Sequence, residues 1–388
     1  MFSIAKRVFA RRLGTATLGL FSLATSLCAQ QHYKQTNLVS DVPGLAAATD
    51  PNLVNPWGMS RSSGSPWWIS DNGPGLTQLY SGAGAPANGF GQPCPMGTET
   101  NCVIIPSGDP NSSPTGTPTG QVFNGTTDFN VTPMNPAHFI FVTEDGTISG
   151  WAGGPKATIK VNTFSASVFK GVALATSSTR TGGTANFLYV ADFRKGHVNV
   201  YDTNFYKVHM DDDAFEDEEI PHGFAPFNVQ NIGGNLYVAF AEQDSQKHDE
   251  VDGPGLGYVD VFSPAGHLLH RLQHGQWFNG PWGITQAPND FGAYSHNILV
   301  GQFGSGQILV FDPVTGRFKG TLNDASNKPI TIDGLWDIAF GSGAISPTTN
   351  TFVSGPPNAL FFTAGINGEA DGLFGTITPI ENVLGGDN

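Results

Sequence analysis

Apolar positions along most of this chain come in short runs of four to six residues, rich in Val, Ile, Leu, Phe and Tyr and bounded by Gly, Asp and Asn. Runs of this length and composition between turn residues predict β-strands rather than helices. They also recur. The segment Asn55-Pro56-Trp57-Gly58-Met59 has counterparts in Lys170-Gly171-Val172-Ala173, Pro226-Phe227-Asn228-Val229, Gly280-Pro281-Trp282-Gly283-Ile284 and Gly334-Leu335-Trp336-Asp337-Ile338. Gly171, Asn228, Gly283 and Asp337 follow one another at 57, 55 and 54 residues, and Gly58 precedes Gly171 by 113, about twice that spacing. One more copy therefore lies between those two. Its second half is visible as Phe139-Ile140-Phe141-Val142-Thr143, then Glu144-Asp145-Gly146, then Thr147-Ile148-Ser149-Gly150-Trp151.

The other units show a second and third strand at 67–70 with 77–80, 188–191 with 198–201, 236–240 with 257–262, 298–301 with 307–311 and 360–363 with 373–378. Six units with about four strands each predict an all-β fold, a six-bladed β-propeller. Segment 33–39 is strand-like but has no partner in its own unit, so it is expected to complete the last blade and close the ring. An open solenoid is the alternative, but neither end of the repeat region carries the polar capping unit that a solenoid needs.

Composition sharpens the picture. The chain has 50 Gly and 27 Pro in 388 residues and only 13% charged residues, which fits a turn-dense β domain. Residues 30–388 are read as a single propeller domain, longer than the usual ~250–300-residue limit of one core, which a ring of repeated sheets can exceed. Residues 82–122, rich in Gly, Pro, Ser and Thr, are expected to form a surface insertion. They carry Cys94 and Cys102, whose spacing suits a disulfide loop in an oxidising compartment; metal ligation by two lone thiols is the other reading.

Residues 1–29 combine Lys6, Arg7, Arg11 and Arg12 with an apolar stretch over 13–27 and small residues after it, the pattern of a secretory signal peptide. The protein is therefore expected to be secreted, extracellular or periplasmic. A lipid anchor on Cys28 is the lesser alternative, because Leu27 before it is bulky. No second apolar run of ~20 residues follows, so no membrane span is expected. A net charge of −14 without a basic patch excludes nucleic acid and anionic membrane. A small molecule, a carbohydrate or an extracellular protein remains as partner, and the expected state is a monomer.

In a propeller the first strand of each blade lines a central channel. The loops before that strand share one rim with the loops joining second and third strands. On this rim the ligand-binding candidates are Trp57, Asp71, Asn72, Asp192, Arg194, Gln243, Asp244, Lys247, Asp249, Trp282 and Trp336. Against them stand plainer roles: Asp and Asn favour tight turns for backbone reasons, and the tryptophans suit packing between blades. Loop 242–257 is the longest and most charged, with Glu242, Asp244, Lys247, His248, Asp249, Glu250 and Asp252, and long rim loops often carry function. His248, with Glu242, is the catalytic candidate as general base or metal ligand; a solvated loop histidine is the alternative. Asn279 and Asp333 occupy matching places before the channel strands of the last two units, with Asn55 near the same level, an oxygen set suited to a hard cation such as Ca²⁺. The acidic run at 211–219 lacks the spacing of a calcium loop and reads as a solvated connection. No nucleophile elbow, paired-histidine zinc motif, phosphate-binding glycine loop or paired CxxC is present.

The motifs Pro56-Trp57-Gly58, Ser70-Asp71-Asn72-Gly73, Gly223-Phe224-Ala225-Pro226-Phe227-Asn228-Val229, Lys247-His248-Asp249, Gly253-Pro254-Gly255 and Thr363-Ala364-Gly365, with Gly372-Leu373-Phe374-Gly375, resemble those of an uncharacterised secreted bacterial family related to NHL-repeat propellers. That resemblance runs from Tyr33 to Ile380 and implies the propeller but no activity. More distantly, Asp333-Gly334-Leu335 and Asn279-Gly280 are similar to motifs of the gluconolactonase and calcium-dependent phosphotriesterase propellers, which implies a channel Ca²⁺. Their early channel glutamate has no counterpart, since Val54-Asn55-Pro56 stands there. Two functions follow: a binding propeller presenting a polar and aromatic rim, or a metal-dependent hydrolase such as a lactonase or esterase.

Overall fold

The computed structural model describes residues 32–89, 92–111, 113–179 and 181–380. The expected signal segment 1–29, with Cys28, lies outside the described residues. Six sheets form the six blades, and their innermost strands are Pro56–Ser60, Pro118–Phe123, Phe169–Ser178, Phe224–Ile232, Pro281–Gln286 and Leu335–Phe340. Each innermost strand packs on the next, and Leu335–Phe340 packs back on Pro56–Ser60, which closes the ring. Among the described residues no helix is long and apolar enough to cross a membrane.

Closure is made by strand Tyr33–Ser40, which pairs antiparallel with the third strand of blade six, Leu373–Pro379, from Tyr33 opposite Pro379 to Ser40 opposite Leu373. The first and last parts of the propeller thus share one sheet. Tyr33 anchors this junction: it is buried, its hydroxyl donates to the Phe291 carbonyl at 3.0 Å, and its ring centroid lies 4.8 Å from that of Phe291. Both contacts reach blade five, so the residue ties two blades as well as two ends.

The expected insertion at 82–122 needs correction, because it holds two structural strands. Cys102–Ile104 is the outer strand of blade one, and Pro118–Phe123 is the inner strand of blade two. Composition hid them. Pro118 is tolerated as the first residue of a strand, and Gly120 is required by close approach: a Cβ there would lie 2.9 Å from Gly171 Cα on the next inner strand. Cys94 and Cys102 are joined by a disulfide that fastens the blade-one loop to its outer strand.

Tyr33→Ala is expected to cost about 3–5 kcal/mol, from the lost ring and the cavity at the junction. Tyr33→Phe loses only the hydrogen bond and is expected to cost about 1 kcal/mol. Urea unfolding curves of the two variants check the difference; equal and negligible losses would mean that the N-terminal strand does not hold the ring.

Candidate functional site

The inner strands set the geometry of the channel. At Gly58, Gly120, Gly171 and Gly283 a side chain would collide with the neighbouring inner strand, at 2.7 Å from Thr119 O in the case of Gly58. The residues just before these positions, and before Asn228 and Asp337, form one layer: Trp57, Thr119, Lys170, Phe227, Trp282 and Trp336. Trp57 stacks on Trp336 with ring centroids 3.4 Å apart, and Trp282 meets both edge-on at 6.0 Å. Phe193, Phe227 and Phe303 complete an apolar cluster that plugs the channel.

Lys170 is therefore a cation in a layer of aromatics. Its side chain is 0% exposed. The ammonium lies 4.7 Å above the Trp57 ring centre, a cation–π contact, and meets Glu144 Oε1 at 2.6 Å and Asp249 Oδ1 at 3.2 Å. Burial alone would push this amine down, but Glu144, Glu250 and Asp249 outweigh it and hold the amine above its ordinary range. The amine stays charged and enclosed, so it cannot serve as a nucleophile.

Four carboxyl groups from three blades act on this single cation, Glu144 and Asp249 in contact with it and Glu250 and Glu369 through electrostatics. Glu144 comes from the blade-two rim loop, Asp249 and Glu250 from blade four, and Glu369 from blade six. Asn72 donates to Glu144 Oε2 at 2.9 Å, and Asn55 donates to Glu369 Oε2 at 2.7 Å. Glu369 has a left-handed backbone, φ 68°, a conformation costly for a non-glycine residue and frequent at functional sites. Burial pushes Glu250 up to about 8, against the pull of Lys170, and raises Glu369 as well. Asp249 behaves oppositely: its hydrogen bond with His248, 2.8 Å from Nδ1 to Oδ1, holds it below the usual carboxylate range, and Lys170 adds to the effect. The same bond raises His248. Asp249 and His248 face solvent, with side chains 62% and 39% exposed.

The rim candidates fall into three groups. Asn72, His248 and Asp249 converge on the Lys170 cluster. Gln243, Asp244, Lys247 and Arg194 shape loops: Gln243 Nε2 donates to the Phe193 carbonyl, Asp244 Oδ1 accepts the His248 N–H at 2.8 Å, Lys247 takes a left-handed φ of 56°, and Arg194 donates to the Ser165 carbonyl. Trp57, Trp282, Trp336, Asp71 and Asp192 are buried and present no face to the rim. Asp192 holds its own turn by accepting from Asn199 Nδ2 at 3.0 Å, and burial, then Asp50 and Asp41, keep Asp71 well above its usual range. Glu242 lies at the end of its strand, and the partner of His248 is Asp249 instead.

Each member of the oxygen set foreseen for Ca²⁺ accepts one hydrogen bond within the fold. Asn55 Oδ1 accepts from Trp336 Nε1 at 3.1 Å, Asn279 Oδ1 from the Gly253 N–H at 2.7 Å, and Asp333 Oδ2 from the Asn367 N–H at 2.7 Å. Asn55 also sits one residue further along than the other two. With φ 48° it fills the left-handed position that Gly280 and Gly334 occupy in blades five and six. A different trio, Glu144, His248 and Asp249, brings one ligand atom each within 4.8 Å of one another. Two of those three already bind Lys170, so an internal cation stands where a metal ion would compete.

Lys170, Glu144 and Glu369 were not singled out from sequence, and Glu250 only as one charge of loop 242–257. A signal existed: aligned on the repeat, Lys170 takes the place of Trp57, Phe227, Trp282 and Trp336.

No family model matches the chain. It is 30% identical over 361 residues to the uncharacterized protein R648 of Acanthamoeba polyphaga mimivirus, covering 89% of this chain and 80% of that protein. Among solved structures it resembles a structural-genomics protein of unknown function from Bacteroides thetaiotaomicron, with TM-score 0.50 and 12% identity over 90% of this chain and 76% of that one. It also resembles a streptogramin B lyase, with TM-score 0.46 and 11% identity over 90% of this chain and 98% of that one. These structural likenesses concern the fold alone.

Lys170→Met is expected to cost about 3–5 kcal/mol at pH 8, because it leaves buried carboxylates without their cation. The Glu250 and Glu369 carboxyls, already raised by burial, then rise further above their unfolded values. Stability contributed by such a group is full below the unfolded pKa and is lost as pH rises through the folded one. The gap between wild type and variant should thus be small near pH 5 and large at pH 8. A gap independent of pH, read from denaturant midpoints, would contradict the charge account.

Proposed function

Since the chain belongs to the family of the uncharacterized mimivirus protein R648, we propose, from the geometry of its rim, that it is a binding propeller. Its ligand is a small molecule or an extracellular partner that presents a basic group to the Lys170 rim. One observation carries this reading: four carboxyl groups from three blades act on one enclosed amine, with Glu144 and Asp249 in contact with it, so carboxyls outnumber cations in the cluster. A basic group arriving beside Asp249 would redress that balance. The enclosure of Lys170, and the one-residue offset of Asn55 from Asn279 and Asp333, support binding over metal-dependent hydrolysis. The Cys94–Cys102 disulfide supports action in an oxidising compartment outside the cytoplasm.

Cation binding on this rim is coupled to proton release. A bound cation lowers the Glu250 pKa, so affinity increases as pH rises through about 8. Calorimetric titration with spermidine and with L-arginine methyl ester, in buffers of different ionisation enthalpy, reads both affinity and proton release. Binding is expected to weaken with salt and to fall about tenfold in the double variant Asp249→Asn/Glu369→Gln. Unchanged affinity in that variant, or tight rim binding of a neutral oligosaccharide with none of the amines, would overturn the reading.

A further inference from the structure

The channel has a second mouth, at the opposite ends of the inner strands, beneath the aromatic plug. A cavity of about 400 Å³ lies there, within the size range of small-molecule sites. It is lined from every blade, and the charged residues in its lining are Arg61 and Asp337. Both are half-buried, and both keep accessible surface. Neither forms an ion pair among the described residues.

Their partners are backbone groups. Arg61 donates from Nε and Nη2 to the Phe340 carbonyl, at 3.0 and 2.6 Å, and from Nη1 to the Ser62 carbonyl at 3.5 Å, with its guanidinium 5.3 Å from the Trp67 ring centre. Asp337 accepts the Met59 and Ile338 N–H groups at 2.8 Å each. A guanidinium has further N–H groups and a carboxylate further lone pairs, and these take no bond within the fold. Burial pushes Asp337 up to about 7 and Arg61 down, and no opposite charge acts on either to offset it. A charge withdrawn from water without a counter-ion is costly.

The fold itself requires a charge at neither place. Asn228 stands in blade four where Asp337 stands in blade six, and it clasps the next blade as a neutral amide, with Oδ1 on the Val229 N–H and Nδ2 on the Trp282 carbonyl. Counted from the channel tryptophans, Gln286 and Phe340 take the place of Arg61 in blades five and six. Two opposite charges are thus held apart in one cavity, and a ligand that carries both signs would supply both counter-ions. The Phe340 carbonyl gripped by Arg61 lies three residues from Asp337 along one strand, an interval of about 10 Å at the rise of an extended chain. The ammonium and carboxylate of an α-amino acid flank a single carbon, and with a charge-assisted hydrogen bond of ~2.8 Å at each end they span most of that interval. Val122, Phe123 and Phe340, half-buried in the same lining, provide an apolar wall for a side chain.

We propose that this second mouth binds a free α-amino acid with an apolar side chain as its zwitterion, the carboxylate on Arg61 and the ammonium on Asp337. It is a different site from the rim, and shares no residue with the Lys170 cluster.

The test sets L-phenylalanine and L-leucine against the two halves of the first, 2-phenylethylamine without the carboxylate and 3-phenylpropanoate without the ammonium. Binding is read at pH 8 by calorimetric titration and saturation-transfer NMR, in the wild type and in the rim variant Asp249→Asn/Glu369→Gln, where an amine at the Lys170 rim no longer contributes. At least one of the two amino acids is expected to bind both proteins equally at millimolar concentration, and in the rim variant each half should bind about tenfold more weakly than L-phenylalanine. Arg61→Gln, added to the rim variant, should weaken the amino acids about tenfold and leave 2-phenylethylamine unchanged. Asp337→Asn, a side chain that blade four already carries at this place, should weaken them as much and spare 3-phenylpropanoate. Absence of binding for both amino acids at tens of millimolar would overturn the proposal without recourse to any variant of the second mouth. So would halves that bind as well as the whole. Loss of amino-acid binding in the rim variant would place the ligand at Lys170 and refute the second site.

Discussion

Everything at the two mouths follows from how closely the six inner strands approach one another. A Cβ on Gly171 would lie 2.6 Å from Asn228 Cα, and one on Gly283 would lie 2.7 Å from Ile338 N. Backbones this close leave no room for side chains between them at that level. Where blades four and six do carry a side chain there, it becomes a clasp to the next blade: Asn228 Nδ2 donates to the Trp282 carbonyl, and Asp337 Oδ2 accepts the Met59 N–H, each at 2.8 Å. The residue one step earlier must then fill the channel alone. Trp57, Trp282, Trp336 and Phe227 do so by volume, and a rigid plug results.

One place in that layer is given to a charge, and the electrostatic consequences organise the rim. A buried ammonium costs several kcal/mol in lost hydration unless its donors are met. Glu144 and Asp249 meet two of them, and the Trp57 ring faces the ammonium as well. Because Glu144 belongs to blade two and Asp249 to blade four, Lys170 of blade three cannot be satisfied unless its neighbours on both sides reach over it. This explains the length of loop 242–257, which must carry Asp249 across to a neighbouring blade. It also explains why the loop is stiffened by Asp244, whose carboxylate gathers the N–H groups of Gln246 and His248. The remaining carboxyls, Glu250 and Glu369, are then in excess, and burial raises both against the pull of Lys170.

The six-fold repeat was legible because it is written in apolar periodicity, which backbone pairing enforces in every blade. Even the closing strand could be read, since 33–39 has the pattern of a strand and no local partner. Blade two was only half legible. Its inner strand, Pro118–Phe123, is Pro-Thr-Gly-Gln-Val-Phe, and the features that fit it to the channel, a small Gly120 and a buried Gln121 amide, are those of a loop by composition. The rim was legible as a region but not residue by residue. Asp71 and Asp192 look like ligands in sequence and are buried in their own blades, whereas Glu144, Glu250 and Glu369 gain their meaning only from Lys170, up to about 200 positions away in the chain. The foreseen cation set is out of register at one member: Asn55 matches Gly280 and Gly334 by its left-handed backbone, one residue on from Asn279 and Asp333.

The plug divides the channel into two environments of unlike chemistry. Above it the Lys170 cluster of charges reaches solvent; below it the Asp337 carboxyl and the Arg61 guanidinium are each bound to backbone. No side chain of the Lys170 cluster lines the lower cavity. The inner strand of blade one runs between the two, and it is pinned at both levels. Thr363 Oγ1 donates to the Trp57 carbonyl, and Asp337 accepts from Met59. A strand held at two points by neighbouring blades does not slide, so a change in charge above has no movable element through which to act below. Sites that share neither a side chain nor a bistable element are energetically independent. The plug therefore separates two mouths of the channel, and the side chains that separate them are the same tryptophans that its repeat makes most visible.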